Sequence, residues 1–219
     1  MEDKNEIQVS IEEFTYTILR ATNPELRKQG KEFINTYHSY IKFSDRPSRK
    51  LYWNLYENEK MVGVFALASV FDKPKSVKNY MLENDLKSNE IANNIVYCLA
   101  NQQNKNAGTI FLKLCRQDAI KWWYERYNDY LKAFQTFILP PRIGAIYKAD
   151  NWTQIGITKG ANVQVRTIPE KDIDKYENVK KRVYKSGEIR YTISDFVETE
   201  KKLIFMKLNS KKEINKYIK

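Results

Sequence analysis

The sequence predicts an α+β domain built on a mixed, mostly antiparallel sheet that is split around a central βαβ unit and flanked by helices. Two apolar runs, 51–56 and 61–69, are separated by the polar connection Glu57-Asn58-Glu59-Lys60, which has the length of a hairpin loop. A short apolar run at 95–100 is followed by a polar stretch, a helical pattern and a further apolar run at 131–139, giving strand, loop, helix, strand. A final apolar run at 203–208 follows a Lys/Glu-rich stretch, so antiparallel strands are expected on both sides of the central unit.

Taken in order, Asn23-Pro24-Glu25 reads as an N-cap followed by proline at the first helical position. Leu26, Phe33, Ile34, Tyr37 and Ile41 recur at helical spacing, which predicts a helix over 24–40. The hairpin comes next, then the polar stretch 85–94, then the run 95–100, apolar enough to be a central strand buried on both faces. After the turn-forming residues 101–108, Ile110, Leu114, Cys115, Ala119, Trp122 and Trp123 mark a helix of about 15 to 18 residues. The Trp122-Trp123-Tyr124 cluster lies in the middle of that helix and is expected to pack inward. Pro140-Pro141 closes the following strand, because proline cannot continue a central ladder. Residues 144–151 suit one short helix, and 153–158 one strand.

Composition bounds the function. The chain has 219 residues, 42% hydrophobic and 13% aromatic, enough to fold as one domain and too core-rich for disorder. A single domain over 1–219 is expected, with 162–219 a basic C-terminal part completing the sheet. Lys and Arg number 38 against 27 Asp and Glu, a formal charge of +11 that favours an anionic partner. The two cysteines, Cys98 and Cys115, lie in apolar runs without a second ligand at metal spacing, so neither a disulfide framework nor a metal site is expected. The first ten residues are charged and no run approaches 18 apolar residues. A cytoplasmic protein with no membrane partner is the expectation.

The loop at 101–109 is the first candidate site. Between a buried strand and a helix, main-chain N–H groups and the positive end of the helix dipole converge on an anion. Leu99 and Ala100 end the strand, Gln103 and Asn104 enter the loop, Asn106 and Gly108 are expected to supply positive φ, and Thr109 to cap the helix. An ordinary polar loop has the same composition.

The segment 135–160 carries several spaced positions together: Gln135-Thr136-Phe137, Pro141-Arg142, Gly144, Tyr147, Ala149, Asn151-Trp152, Ile155-Gly156, Thr158 and Gly160. It resembles the segment shared by the Mom-like phage DNA-modification proteins and the Druantia A anti-phage family. Gln103-Asn104-Lys105-Asn106-Ala107-Gly108 resembles the phosphate loop of GNAT acyltransferases with Asn106 in place of its first glycine, and 147–152 resembles a further GNAT element. His38-Ser39-Tyr40 and Val62-Gly63-Val64 look like Mom-like upstream elements. The resemblance covers about residues 33–160. It implies a GNAT-like fold, acetyl-CoA as cofactor and, for Mom-like members, modification of adenine N6 in duplex DNA that protects phage DNA from restriction.

Within that reading Tyr147 is the candidate acid for the leaving thiolate, and His38, the only histidine, the candidate base. Arg142 is a candidate clamp for a coenzyme A or DNA phosphate, with Ser39 and Tyr40 beside the acceptor. Asn151 either hydrogen-bonds an adenine edge or tolerates a left-handed turn. Lys181 and Arg182 belong to a basic stretch suited to phosphates. Two other readings stand beside DNA modification: a GNAT N-acetyltransferase acting on a protein or small amine, and a nucleic-acid-binding defence protein without turnover.

Overall fold

The computed structural model describes residues 5–11, 13–38, 49–100 and 104–218. In chain order, β1 (Glu6–Ile11) and β2 (Phe14–Arg20) precede α1 (Pro24–Tyr37), β3 (Lys50–Glu57), β4 (Lys60–Ser69) and α2 (Lys75–Glu83). Then come β5 (Ile91–Leu99), α3 (Ala107–Tyr127), β6 (Ala133–Ile138), α4 (Ala145–Ala149) and β7 (Thr153–Ile157). The chain ends with β8 (Ala161–Ile168), β9 (Lys180–Val183), β10 (Ile189–Glu198), β11 (Leu203–Leu208) and α5 (Lys211–Tyr217).

The chain divides into two compact units, Met1–Gly156 with Leu203–Lys219, and Ile157–Lys202. The larger holds an eight-stranded sheet in the order β1-β2-β3-β4-β5-β6-β11-β7. Within it β5 and β6 pair in parallel, whereas β1–β2, β2–β3, β3–β4, β4–β5 and β6–β11 are antiparallel. This is an α+β fold with a mixed, mostly antiparallel sheet and helices on its faces. The smaller unit is a three-stranded antiparallel sheet, β8-β10-β9. Of the basic stretch 162–219, therefore, β11 belongs to the eight-stranded sheet and β8 to β10 form a sheet of their own.

Local chemistry explains the element ends. Asn23 accepts a hydrogen bond from the Leu26 amide at 2.9 Å on its side chain, and Pro24 opens α1 as expected. The β3–β4 hairpin turns on Asn58 and Glu59, both left-handed at φ 47° and 66°, the two-residue geometry whose twist matches flanking strands. β5 starts earlier than the apolar run alone suggests, since Asn93 and Asn94 lie inside it.

One core lies between the sheet and α3, around Trp53, Phe65, Phe111, Trp123, Phe134 and Phe205. A second lies between the sheet and α1, around Phe33, Ile34, Val64 and Val96. Trp122 and Trp123 both face inward, as does Trp152. The approach of β4 to β5 is close at Gly63, where a Cβ would stand 2.4 Å from Leu99 Cδ2 and 2.7 Å from the Cys98 carbonyl oxygen. Gly63→Ala is expected to destabilise the fold by about 1–3 kcal/mol through overpacking, measurable as a lower midpoint in urea unfolding.

The helix α3 carries two charged residues into the interior. Asp118 takes Arg20 Nε and Nη2 at 2.8 and 2.7 Å and the Trp53 indole N–H at 2.8 Å. Arg116 donates to Asp150 at the end of α4 at 2.9 Å, and reaches Asn209 and Glu213 at 3.3 and 3.2 Å. Buried charges survive when paired and hydrogen-bonded, and these two networks fasten α3 to β2 and to α4.

Candidate active site

The site begins where two neighbouring strands part. β5 and β6 are registered only from Ile91↔Ala133 to Asn94↔Thr136, yet β5 runs on to Leu99 and β6 to Ile138. Ala66 of β4 pairs with Val96 while Leu67 pairs with Asn94, which leaves Ile95 as the extra residue of a bulge in β5. A bulged strand bends, and here the bend coincides with the last β5–β6 pair. A cavity of about 500 Å³ occupies the opening.

Asn94 organises the vertex. Its side-chain nitrogen donates to the carbonyls of Ala66 at 2.9 Å and Val96 at 2.8 Å, holding the bulge in shape. Its side-chain oxygen accepts the Tyr147 hydroxyl at 2.6 Å, and its main-chain carbonyl accepts Thr136 Oγ1 at 3.1 Å. Tyr147 is 5% exposed, with its ring edge-on to Trp152 at 5.0 Å and Tyr97 at 6.4 Å. Tyr97 in turn donates its hydroxyl to the Gly108 carbonyl at the head of α3.

The short helix α4 presents Tyr147 because the chain turns at Gly144 with φ 71°, and a Cβ there would meet the Phe205 ring at 2.9 Å. At its other end Asp150 accepts the Trp152 indole N–H at 2.9 Å while paired with Arg116. Lys207 adds a bond to the Asp150 carbonyl at 2.6 Å. The phenol is thereby tied to α3 and to β11.

On the other face of the sheet, His38 ends α1, its backbone N–H donating to the Ile34 carbonyl at 2.9 Å. His38 and Arg142 both line the cavity. Partial burial, and then the positive charge of Arg142, lower the histidine's pKa below its ordinary 6.5. Cys98 also lines the cavity, and burial pushes its thiol up to about 11.

The sequence-predicted residues divide as follows. Tyr147, His38, Arg142 and Leu99 are brought together around one cavity. Asn151 is exposed at φ 58° just past α4 and is absent from the described lining, so its left-handed turn is what the geometry accounts for. Asn106 is the N-cap of α3 at φ −88° and Gly108 is helical, so neither supplies the positive φ expected of it. The helix begins at Ala107 rather than after a Thr109 cap, which places Thr109 in its first turn, and it runs for 21 residues. Asn104 makes a local turn instead, accepting the Asn106 amide on its side chain at 2.7 Å and the Ala107 amide on its carbonyl at 3.1 Å. Its own amide donates to the buried Glu57 carboxylate at 3.3 Å. Ala100 donates its amide to the Val62 carbonyl at 2.8 Å. Lys181 and Arg182 are exposed on β9 of the smaller unit. Gln103, Ser39 and Tyr40 lie outside the described residues.

Asn94 is absent from the sequence-predicted site residues, and Thr136 is present only among the spaced positions of the 135–160 segment. Two adjacent asparagines in an otherwise apolar strand were the signal, because a buried carboxamide needs a partner for each of its polar atoms. Among the described residues no group of His, Cys, Asp and Glu is arranged to hold a metal ion, and no helix is long and apolar enough to cross a membrane.

No family model matches the chain, and no curated protein does. Among solved structures it is similar to FeeM, an N-acyl amino acid synthase from uncultured soil microbes, at 10% identity over 91% of this chain and 97% of that one, with a TM-score of 0.48. A mosquito arylalkylamine N-acetyltransferase matches at 8% identity over 88% of this chain and 100% of its own, with a TM-score of 0.47. An acetyltransferase of the GNAT family from Streptococcus pneumoniae matches at 12% identity over 88% and 99%, with a TM-score of 0.44.

Proposed function

We propose that the chain is a GNAT-type acyltransferase that takes an acyl group from acetyl-CoA and delivers it to an amine. The observation that carries this reading is the parting of β5 from β6 at Asn94 and Thr136, with a cavity in the opening and the Tyr147 hydroxyl at its vertex. Beyond the last registered pair, the two strands no longer bond to each other, and an extended ligand with its own amides can pair with such edges. Pantetheine is a ligand of that kind.

The head of α3 adjoins the same opening, since a Cβ at Gly108 would lie 3.3 Å from Leu99 and 3.6 Å from Ile146, both of which line the cavity. Asn106 makes no side-chain cap bond, so the first-turn amides of Gly108 and Thr109 suit the pyrophosphate through hydrogen bonding and the helix dipole. When bound, acetyl-CoA supplies the activated acyl carbon as a thioester. The Tyr147 hydroxyl, which donates to Asn94 Oδ1 in the resting site, would swing that proton toward the departing sulfur, with Asn94 setting where the hydroxyl stands. His38 accepts the proton of the attacking amine. The Cys98 thiol, at about 11, stays protonated near neutrality and makes a poor nucleophile, which favours direct transfer over an acyl-cysteine.

Calorimetric titration with acetyl-CoA, followed by detection of thiol release with amine acceptors, tests this reading; absence of binding overturns it. The histidine adds a pH signature. A base is active when unprotonated, and a pKa lowered below 6.5 keeps His38 unprotonated to more acid pH than a free histidine. The acid limb of kcat/KM is therefore expected to have its midpoint below pH 6.5, and His38→Gln to abolish that limb.

A second reading keeps the same chemistry and makes a base of duplex DNA the acceptor, as the Mom-like resemblance implies. It is favoured by one arrangement in the smaller unit. Phe196, Arg190, Arg182 and Lys180 fall on one face of the β8-β10-β9 sheet by register, and Phe196 is 85% exposed. Mass spectrometry of nucleosides from DNA co-expressed with the protein decides it, an unmodified adenine pool counting against.

A further inference from the structure

We infer that the acceptor is an amine carried on an aromatic ring, and that the rings of Tyr37 and Phe137 hold it with the amine toward Tyr147. The inference rests on the acyltransferase reading and adds the chemical class of the second substrate.

The cavity is lined from both faces of the sheet. Leu99 and Ile146 belong with the core packed on α3, whereas Ile95 and Cys98 belong with the core packed on α1. The pyrophosphate site at the head of α3 adjoins the first pair, which leaves the α1 side for the acceptor. Two aromatic walls stand on that side, each fixed by a different device. Tyr37, at the end of α1, lines the cavity, and its ring packs at 4.6 Å on the buried Phe33 one turn earlier. Phe137 lines the cavity from β6, on the same face as Gln135, with Phe71 edge-on to it at 5.8 Å. The fully buried Gln135 clamps Phe71 by both main-chain groups: its side-chain oxygen accepts the Phe71 amide at 2.9 Å, and its nitrogen donates to the Phe71 carbonyl at 3.1 Å.

These rings are held in place yet left open to solvent. Tyr37 is 47% exposed, Phe71 49%, and Ile143, which also lines the cavity, 62%. Large apolar side chains grouped around one opening mark a surface that a ligand completes. A ligand ring meets such walls edge-on or offset, and walls already fixed lose little rotamer freedom when it binds. A small hydrophilic amine covers none of them and forgoes the apolar contribution. A saturated ring of similar size gains the burial but not the ring-to-ring geometry.

The test uses 2-phenylethylamine, 2-cyclohexylethylamine and 2-methoxyethylamine as acceptors, with the full chain and acetyl-CoA as donor. The expected kcat/KM for the phenyl compound is about 10- to 100-fold above that for the methoxy compound, the effect of burying one ring. It is expected to exceed that for the cyclohexyl compound by about 2- to 10-fold, the effect of aromatic pairing. Combining Tyr37→Leu with Phe137→Leu keeps apolar bulk and removes both rings, so the phenyl-to-cyclohexyl ratio is expected to fall to about 1. Acetyl-CoA affinity by calorimetry is expected to match the parent, which shows that the double variant is folded. Tyr37→Leu alone, at a half-exposed helix end, is expected to move the ratio part of the way. Equal or better turnover of the methoxy or cyclohexyl amine overturns the inference, as does an unchanged ratio in these variants. Acetyl-CoA binding without acylation of any of these amines also overturns it, whereas failure to bind acetyl-CoA removes the transferase reading itself.

Discussion

Replacing Tyr147 with phenylalanine is expected to lower kcat by about 10²- to 10⁴-fold, the range that a positioned proton donor contributes. The ring is packed against Trp152, Tyr97 and Phe205, and phenylalanine keeps those contacts, so the cavity should retain its shape. What disappears is one hydroxyl and its 2.6 Å bond to Asn94. That leaves a buried acceptor without its donor, a stability loss of about 1–3 kcal/mol, readable as a modest drop in melting temperature. Acetyl-CoA affinity by calorimetry should change little, because the hydroxyl is assigned to the leaving group. The decisive comparison is the pattern: a collapsed kcat with a folded, acetyl-CoA-binding protein supports the role. Undiminished turnover in Tyr147→Phe would assign proton donation elsewhere.

The largest effect on stability is expected from Asp118→Ala, at about 3–5 kcal/mol. Asp118 receives three hydrogen bonds, two from Arg20 and one from the Trp53 indole, and both Arg20 and Trp53 are buried. Removing the carboxylate strands a guanidinium in the core with Glu125, itself 39% exposed, as its one counter-charge among the described residues. The cost arises from that abandoned charge more than from the net worth of the pair. Urea unfolding measures it, and a double variant with Arg20→Met should recover a large part of the loss, since no buried charge then remains. A single variant within 1 kcal/mol of the parent would show that water reaches Arg20 and solvates it.

How far the sequence discloses this molecule depends on which interactions act over short range. The hairpin of β3 and β4, the cap of α1, the strand at 203–208 and the short helix carrying Tyr147 are all written in local pattern and turn residues. The β1–β2 hairpin was less visible: Phe14, Tyr16 and Ile18 alternate correctly, but Arg20 occupies the next inward position, and only the distant Asp118 makes a buried arginine tolerable there. The polar stretch 85–94 concealed the first half of β5, because Asn94 is satisfied by the Ala66 carbonyl on β4, the Val96 carbonyl on β5 and a phenol 53 residues away. The start of α3 was misplaced for a related reason. Asn104 closes the turn through its own side chain, so neither Asn106 nor Gly108 has to adopt the left-handed conformation. The Lys/Glu-rich stretch gave no strong alternation, although it folds as β8, β9 and β10 with charged residues on both faces.

A cleft lined from both faces of a sheet has a kinetic meaning for the proposed transfer. On the proposed reading donor and acceptor approach from opposite faces and meet at the vertex, so neither would have to leave before the other arrives. With the Cys98 thiol held protonated near neutrality, direct transfer would need both substrates resident together when the bond is exchanged. Initial-rate plots should therefore intersect, as for a ternary-complex mechanism, and free coenzyme A should compete with the thioester alone.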